Sequence, residues 1–270
     1  MTVDASAEAR SPDRASAAPL LQLEKVGKNF GPVQALKDVD LEIHPGEVLA
    51  LVGDNGAGKS TMIKTISGIW GADHGRILWE GKEVHIRNPR DAAALGIATM
   101  YQDLALCDNL DIVQNMFLGR EPAPHFFLDE TAMEISARRT LADLSVTTVR
   151  SIRQPVGSLS GGQRQAVAVA RAVLEDAKLV IMDEPTAALG VSQTAMVLRL
   201  VKSLSERGVA VLLISHNLND VFAVADTLAA LYLGRIAGIE KVADIDTQRA
   251  VELITTGSIA THSANGRGEG

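Results

Sequence analysis

The chain has 270 residues, a net charge of −7 at pH 7 and an ordinary hydrophobic content of 46%. This length allows one large domain or two small ones with a real core, and the acidic balance argues against nucleic acid as the main partner. The single cysteine excludes a disulfide within the chain and a cysteine-based zinc site, which fits a reducing cytosol.

Both ends of the chain have compositions typical of disordered tails. Residues 1–19 are rich in Ala, Ser, Asp and Arg without hydrophobic periodicity, and residues 257–270 are similar. We find no signal peptide and no apolar stretch of the ~18 residues that a membrane span needs. We therefore expect one folded domain over residues 20–256, either soluble or held at a membrane by a partner.

The first strands are predicted to form an antiparallel edge sheet. Residues 20–26 and 35–43 alternate between polar and apolar side chains, and residues 75–84 are typical of a hairpin. Phe30 lies in the turn predicted between the first two strands. Aromatic residues make up only 3% of the chain, so an aromatic in a polar turn suits either stacking on a base or capping of the edge sheet.

A glycine-rich loop follows a buried strand predicted at residues 48–52. Residues 53–60 match every fixed position of the G-x-x-x-x-G-K-[ST] phosphate-binding pattern, and a helix is predicted at residues 60–69. Glycines let the backbone surround an anion, and the helix N-terminus attracts it. Lys59 suits the β- and γ-phosphates and Ser60 suits Mg²⁺. Together with the residue that follows, the predicted nucleotide-binding set is Gly53, Asp54, Asn55, Gly56, Ala57, Gly58, Lys59, Ser60 and Thr61.

A helical insertion is predicted to interrupt the α/β core. A short helix at residues 88–95 and a strand at residues 97–101 precede residues 103–159, where helical periodicity replaces continuous apolar strands. Gln102 lies at the junction. Its amide could contact a metal or a water, although its spacing alone favours a surface position.

Residues 159–165 open a long helix with an apolar stripe. Ser160 and Gln163 have the spacing of a capping box. Gly161 and Gly162 each cost about 1 kcal/mol relative to alanine inside a helix, so we interpret them as room for a close approach to the first turn. An open helix N-terminus is a good phosphate receptor. The residues alone leave open whether this is only a well-capped helix or also a phosphate site, and whose phosphate it would receive.

Two carboxylates and a histidine follow predicted core strands. The apolar strand before Asp183 and Glu184 places both at the edge of the sheet where ligands of open α/β folds bind. Asp183 suits a Mg²⁺ shell, and Glu184 suits a water that attacks the γ-phosphate. His216 follows the strand predicted at residues 210–214 on the same side, where it could be catalytic or simply a packed polar residue.

The order of these motifs resembles the nucleotide-binding subunit of an ABC transporter. The resemblance covers about residues 20–256. It implies an α/β fold with a P-loop NTPase (RecA-like) core, an antiparallel β edge subdomain and an inserted α-helical subdomain.

The same resemblance implies roles for single residues. Phe30 would stack on adenine, and Gln102 would be the Q-loop glutamine that contacts the metal. Residues 160–163 would bind the γ-phosphate of ATP held by a second subunit. Glu184 would be the catalytic base, and His216 would be the switch histidine at the γ-phosphate.

A closer resemblance is to the ATPases of sugar importers of the ribose, xylose and fructose type, through residues 100–110, 115–121 and 184–190. Many of these relatives carry two fused cassettes, whereas this chain has one glycine loop and one signature. That half-size form looks most like the fructose-import ATPases. Gly190 departs from the family, because most members have aspartate at this D-loop position, and this puts the D-loop contact across the dimer in doubt.

These resemblances imply an ATPase that binds ATP and Mg²⁺, closes head-to-tail on a second copy, and drives uptake of a small solute such as fructose or ribose. Its other partners would be transmembrane permease subunits and, indirectly, an extracytoplasmic solute-binding protein, at the cytoplasmic face of the inner membrane. The alternatives are the motor of an exporter or amino-acid importer, a soluble ABC-type ATPase acting on DNA or ribosomes, and a regulatory ATP-binding protein without turnover.

Overall fold

A computed structural model describes residues 18–101, 104–122, 127–144, 146, 148–174 and 176–257. Within these ranges there are ten strands: β1 (Leu21–Phe30), β2 (Val33–Ile43), β3 (Val48–Val52), β4 (His74–Trp79), β5 (Lys82–Val84), β6 (Ile97–Met100), β7 (Leu179–Asp183), β8 (Ala210–Ile214), β9 (Thr227–Tyr232) and β10 (Arg235–Lys241). The same ranges contain eight α-helices: α1 (Lys59–Ile66), α2 (Pro89–Ala94), α3 (Ile112–Phe117), α4 (Glu130–Asp143), α5 (Gly161–Leu174), α6 (Val191–Glu206), α7 (Leu218–Val224) and α8 (Thr247–Thr256).

The antiparallel sheet has four strands, in the order β2-β1-β4-β5. Leu21 pairs with Ile43 on one side and with Trp79 on the other, and all three side chains are buried. The alternation of apolar residues fixes this register, because a shift by one residue would turn the buried face to solvent. The predicted edge sheet and the predicted hairpin are therefore confirmed.

The prediction that Phe30 lies in a turn is wrong. Phe30 is the last residue of β1 and pairs with Val33, so the turn consists of Gly31 and Pro32. Gly31 has a φ of +56°, a left-handed conformation that glycine adopts without a steric cost. The chain therefore reverses after Phe30, and the strand extends further than the hydrophobic pattern indicates.

The second sheet has six strands in the order β10-β9-β3-β8-β7-β6, in which only the β10–β9 pair is antiparallel. Both faces are covered. In β8, Leu212 and Ile214 belong to the core cluster that contains α1, whereas Val211 and Leu213 belong to the cluster that contains α5 and α6. This burial on both faces explains why the sequence of the strand is continuously apolar.

Helices α3 and α4 lie within the segment predicted as the insertion, and they pack on α5 through a shared core. Within the described ranges, no helix has both the length and the apolar character needed to cross a bilayer. Residues 1–17 and 258–270, which include almost all of the two predicted tails, lie outside the described residues. Gly257, expected to begin the second tail, is the left-handed C-cap of α8.

One buried side chain holds the loop that leads into α3. The Asn115 amide nitrogen donates to the carbonyl oxygens of Cys107 (3.0 Å), Leu110 (3.2 Å) and Asp111 (2.9 Å), while its side-chain oxygen accepts from the Cys107 N–H (2.7 Å). Asn115 is fully buried. Its loss would remove the hydrogen bond of the Cys107 N–H and one hydrogen bond at each of the three carbonyl oxygens, which also accept from backbone N–H groups.

We expect Asn115→Leu to lower the free energy of unfolding by about 3 kcal/mol, since leucine matches the volume but replaces none of these hydrogen bonds. Urea denaturation followed by circular dichroism measures the change. Asn109→Leu, at an exposed position of the same loop, is the control and should change the stability by less than about 0.5 kcal/mol. Equal effects at the two positions would contradict the role of Asn115.

Candidate nucleotide-binding site

The glycine loop joins the C-terminal end of β3 to α1. Gly53 and Gly58 have φ values of +156° and +112°. A Cβ atom on Gly53 would lie 2.3 Å from the Leu231 carbonyl oxygen, and one on Gly58 would lie 2.7 Å from the Ala35 carbonyl oxygen. The loop is therefore pressed between the backbones of β9 and β2, and only glycine fits at both positions.

Gly56 gives a matched comparison, because its φ is +83° but no atom of the described residues lies within 4 Å of a Cβ placed on it. We expect Gly56→Ala to cost about 1–2 kcal/mol of stability through its backbone conformation. Gly53→Ala adds a clash with backbone and should cost roughly 3 kcal/mol or more. Urea unfolding of both variants checks the order. Equal losses would show that Leu231 does not confine the loop.

Lys59 begins α1 and folds back across the loop. Its ammonium donates to the carbonyl oxygens of Gly53 (2.6 Å) and Asp54 (3.0 Å). The N-cap of α1 is Gly58, and no side chain caps the helix. The first N–H groups of a helix and its dipole favour an anion. A mobile cation therefore stands beside an uncapped helix N-terminus, as a phosphate site requires.

Gly234 is a part of the site that the sequence interpretation missed. Its N–H donates to the Ala57 carbonyl (2.9 Å), and its own carbonyl accepts from the Lys37 N–H (2.7 Å). The turn between β9 and β10 thus links the glycine loop to β2. A Leu-Gly pair between two apolar runs predicts a turn, but nothing in the sequence indicates what that turn contacts.

The carboxyl ends of β7 and β8 bring the acidic residues to this edge of the sheet. Asp183 ends β7 and pairs with Ile214, the last residue of β8. Burial of its carboxyl, followed by the charge of Glu184, raises the pKa of Asp183, whereas Lys59 and Lys64 act in the opposite direction. Ile214 also pairs with Leu51, near the end of β3, so Asp183 lies at the edge of the sheet where the glycine loop begins.

Glu184 and His216 are brought into direct contact. The Nδ1 atom of His216 lies 2.5 Å from the Glu184 Oε2 atom. Glu184 has a φ of +53° and donates its N–H to the Ile214 carbonyl (3.0 Å). The next turn is tied to α7, because the Thr186 hydroxyl donates to the buried Asp220 carboxylate (2.7 Å). A carboxylate held in this way can accept a proton from a water, and the imidazole can share it.

The capping box predicted for α5 is confirmed. The Ser160 N–H donates to the Gln163 Oε1 atom (2.9 Å), and the Gln163 N–H donates to the Ser160 Oγ atom (3.4 Å). The Gln163 amide also donates to the Thr148 carbonyl (2.7 Å). One side chain therefore holds both the start of α5 and a loop of the helical insertion.

The structure shows which groups of the chain lie against the paired glycines. A Cβ atom on Gly161 would lie 2.7 Å from the Leu189 side chain, and one on Gly162 would lie 2.6 Å from the Met196 side chain and 3.1 Å from the Gln193 Cβ. The group that approaches the first turn of α5 is thus the chain's own α6 and the turn before it. Packing inside the chain therefore favours small residues at both positions, and the phosphate role of residues 160–163 stays a prediction.

Gly190, the departure at the D-loop, is the N-cap of α6, and within the part of the chain that the structure describes no atom lies within 4 Å of a Cβ placed on it. An aspartate would have room there, so packing inside the chain does not explain the glycine. Gln102, predicted to contact a metal or a water, lies outside the described residues.

Comparison with known proteins gives the family. The ABC transporter family model matches residues 36–187, which run from β2 through the glycine loop and Glu184. The chain is 47% identical over 244 residues to the fructose import ATP-binding protein FrcA of Rhizobium meliloti, covering 88% of this chain and 94% of that protein. It is 46% identical over 237 residues to the xylose/arabinose import ATP-binding protein XylG of Sulfolobus acidocaldarius, with the same coverage.

Solved structures agree with the sequence relatives. The chain superposes on the ADP conformation of an ATP-binding cassette of an ABC transporter with a TM-score of 0.76 at 26% identity, covering 89% of this chain and 96% of that one. A dimeric post-hydrolysis cassette bound to ADP and Pi gives a TM-score of 0.68 at 25% identity, covering 82% and 98%. Both share the fold of this chain, and the chain belongs to the ABC transporter family, as one of its ATPase cassettes.

Proposed function

We propose that this chain is the ATP-hydrolysing motor subunit of an ABC importer for a small solute, a monosaccharide such as fructose or ribose. One observation carries the proposal: the glycine loop and the Glu184–His216 pair lie at the same edge of the sheet. Relatives named for fructose and for xylose/arabinose import support a sugar as the transported solute.

Each residue of the site has a role in the proposed hydrolysis of ATP. Residues 53–61 hold the triphosphate, with the Lys59 ammonium moving from the loop carbonyls to the β- and γ-phosphates. Glu184 takes a proton from the water whose oxygen attacks the γ-phosphorus, and the bond from that phosphorus to the bridging oxygen of ADP breaks. His216 steadies the Glu184 carboxylate and faces the γ-phosphate. Phe30 stacks on the adenine.

The donor set fits a magnesium ion that is shared with the nucleotide. No group of three or more His, Cys, Asp or Glu side chains that could hold a metal exists among the described residues. Mg²⁺ is usually held by one or two carboxylates together with phosphates and water. Ser60, Asp183 and Gln102 would supply the protein oxygens. When bound, the ion would neutralise charge on the β- and γ-phosphates.

Two copies would close head-to-tail around two ATP molecules, with residues 160–163 of one copy completing the site of the other. A solved relative of the same fold is dimeric with ADP and Pi. Because nucleotide binds to the closed form, closure is linked to ATP concentration. The helical insertion, joined to α5 through Gln163, would transmit closure to permease subunits at the cytoplasmic face of the inner membrane, with an extracytoplasmic solute-binding protein acting indirectly.

Dilution tests whether each reaction centre is shared between two copies. The rate of phosphate release per chain should fall as the purified chain is diluted, because each reaction centre needs two copies. A rate that is constant at every concentration in a strictly monomeric preparation would contradict the shared site.

Reconstitution tests the transport role. The permease that co-purifies with the chain is placed in vesicles, and ATP-dependent uptake of labelled fructose, ribose and xylose is measured. Uptake of one sugar supports the proposal. Capture of no integral membrane protein, together with hydrolysis that no membrane fraction alters, would favour an ATPase that does not act in transport.

A further inference from the structure

A second aromatic side chain lies against Phe30. The ring centroids of Phe30 and Trp70 are 4.7 Å apart, and the ring planes meet at 71°, which is an edge-to-face contact. Phe30 is 41% exposed, and Trp70 is half-buried. The pair therefore lies at the surface, whereas the other tryptophan, Trp79, is buried in the core.

Trp70 is held by the helix that begins at the phosphate loop. Just after the end of α1, the backbone N–H of Trp70 donates to the Lys64 carbonyl oxygen (3.0 Å). The Lys64 ammonium also lies 4.6 Å from the centroid of the indole ring. Because α1 starts at Lys59, one rigid element carries the phosphate-binding lysine at one end and this indole at the other.

The loop after Trp70 is fastened to the end of β1. Asp73 accepts from the Lys28 ammonium (2.7 Å) and from the Asn29 N–H (2.6 Å), and the Asp73 N–H donates to the Gly27 carbonyl (2.9 Å). These three bonds lie within a few residues of both rings. They fix the contact between Phe30 and Trp70, since neither segment can move far without breaking these hydrogen bonds.

The glycine loop is close to the same hairpin. Val33 pairs with Phe30, and two residues further along β2 the Ala35 carbonyl would lie 2.7 Å from a Cβ on Gly58. The rings and the phosphate loop are thus joined both by β2 and by α1.

We infer that Trp70 is a positioning residue that holds the Phe30 ring as a platform for the nucleobase. This inference rests on the proposed function, in which Phe30 stacks on adenine. An isolated ring at the end of a hairpin would sample several rotamers and lose that freedom on binding. The edge-to-face contact restricts it beforehand, so that stacking costs less conformational entropy.

Inorganic tripolyphosphate is the probe that separates base binding from phosphate binding, since it occupies the phosphate loop but has no base. Trp70→Ala should weaken ATP binding about 3–10-fold and leave tripolyphosphate binding unchanged, both measured by calorimetry with Mg²⁺. Trp70→Phe keeps a ring at this position and should bind ATP within about twofold of the original protein. Phe127→Ala, at an aromatic that is 80% exposed in the helical insertion, is the control.

Kinetics and fluorescence give two further measurements. Trp70→Ala should raise the KM for ATP with kcat nearly unchanged, because a platform binds the ground state and the transition state alike. ATP should alter the tryptophan emission of the original protein and of the Phe127→Ala variant, and should not alter that of Trp70→Phe, since Trp79 is buried in the core.

Four results would overturn the inference. Equal weakening of ATP and tripolyphosphate binding by Trp70→Ala would mean that Trp70 only supports α1. Unchanged ATP binding in Trp70→Ala would mean that Phe30 needs no support, and would leave the proposed function intact. An original protein that binds neither ATP nor tripolyphosphate would remove the proposed function and this inference together. If Trp70→Ala fails to fold, a loss of ATP affinity well beyond twofold in Trp70→Phe would likewise contradict the ring-support role.

Discussion

Glu184→Gln is expected to reduce ATP hydrolysis by about 10²–10⁴-fold and to leave ATP binding intact. Glutamine has nearly the same shape, so the turn at a φ of +53° and the contact with the His216 Nδ1 atom can persist. The amide, however, cannot accept a proton from the attacking water. Phosphate release measures turnover, and calorimetry measures the affinity for ATP.

The same variant should accumulate as an ATP-bound dimer, because the step that opens the clamp no longer occurs. Light scattering with and without MgATP detects this change in mass. Glu206→Gln, at the exposed C-terminal end of α6, is the matched control and should hydrolyse ATP at the original rate. Unchanged turnover in Glu184→Gln would remove Glu184 from the catalytic role.

Lys59→Ala should affect binding instead of chemistry. The Lys59 ammonium now contacts two loop carbonyls, at 2.6 Å from Gly53 and 3.0 Å from Asp54, so the charge is already aimed at the space inside the loop. Charge-assisted hydrogen bonds to phosphate are among the stronger polar contacts. Removing this cation should weaken ATP and tripolyphosphate binding by about 100-fold.

Lys202→Ala, at an exposed position of α6, is the control for the loss of one positive charge. Its affinity for ATP should stay within about twofold, since an exposed charge outside the site is screened by salt. Thermal unfolding without nucleotide should show that both variants are folded. Retention of full ATP affinity by Lys59→Ala would contradict the assignment of residues 53–60 as the phosphate loop.

Local patterns were the part of the fold that could be predicted from the sequence. The glycine loop, the hairpin within residues 75–84 and the capping box of Ser160 with Gln163 each depend on residues within a few positions of one another. Their conformations follow from short-range sterics and hydrogen bonding, which the residue types specify directly. The continuous apolar runs at β3, β7 and β8 likewise indicated strands that are buried on both faces.

Errors arose where a local pattern has more than one structural cause. The polar and turn-forming residues around Phe30 predict a turn there, but the left-handed Gly31 moves the reversal one residue further along the chain. Gly161 and Gly162 predict a close approach to the first turn of α5, and within the chain that approach is made by α6 and the turn before it. A glycine specifies a close approach without specifying which group makes it.

The sequence by itself therefore determined the phosphate loop, the strands and the family of this protein, because each is set by residues that are neighbours in the chain. Only the tertiary structure decided that Glu184 and His216, 32 residues apart, lie 2.5 Å from each other, and that Trp70 supports Phe30. The first contact depends on the order of strands in the six-stranded sheet, and the second depends on the loop that Asp73 fastens to β1. Hydrophobic patterns specify that a strand is buried, but many strand orders bury it equally well, so the partners across the sheet are settled only when the whole core packs.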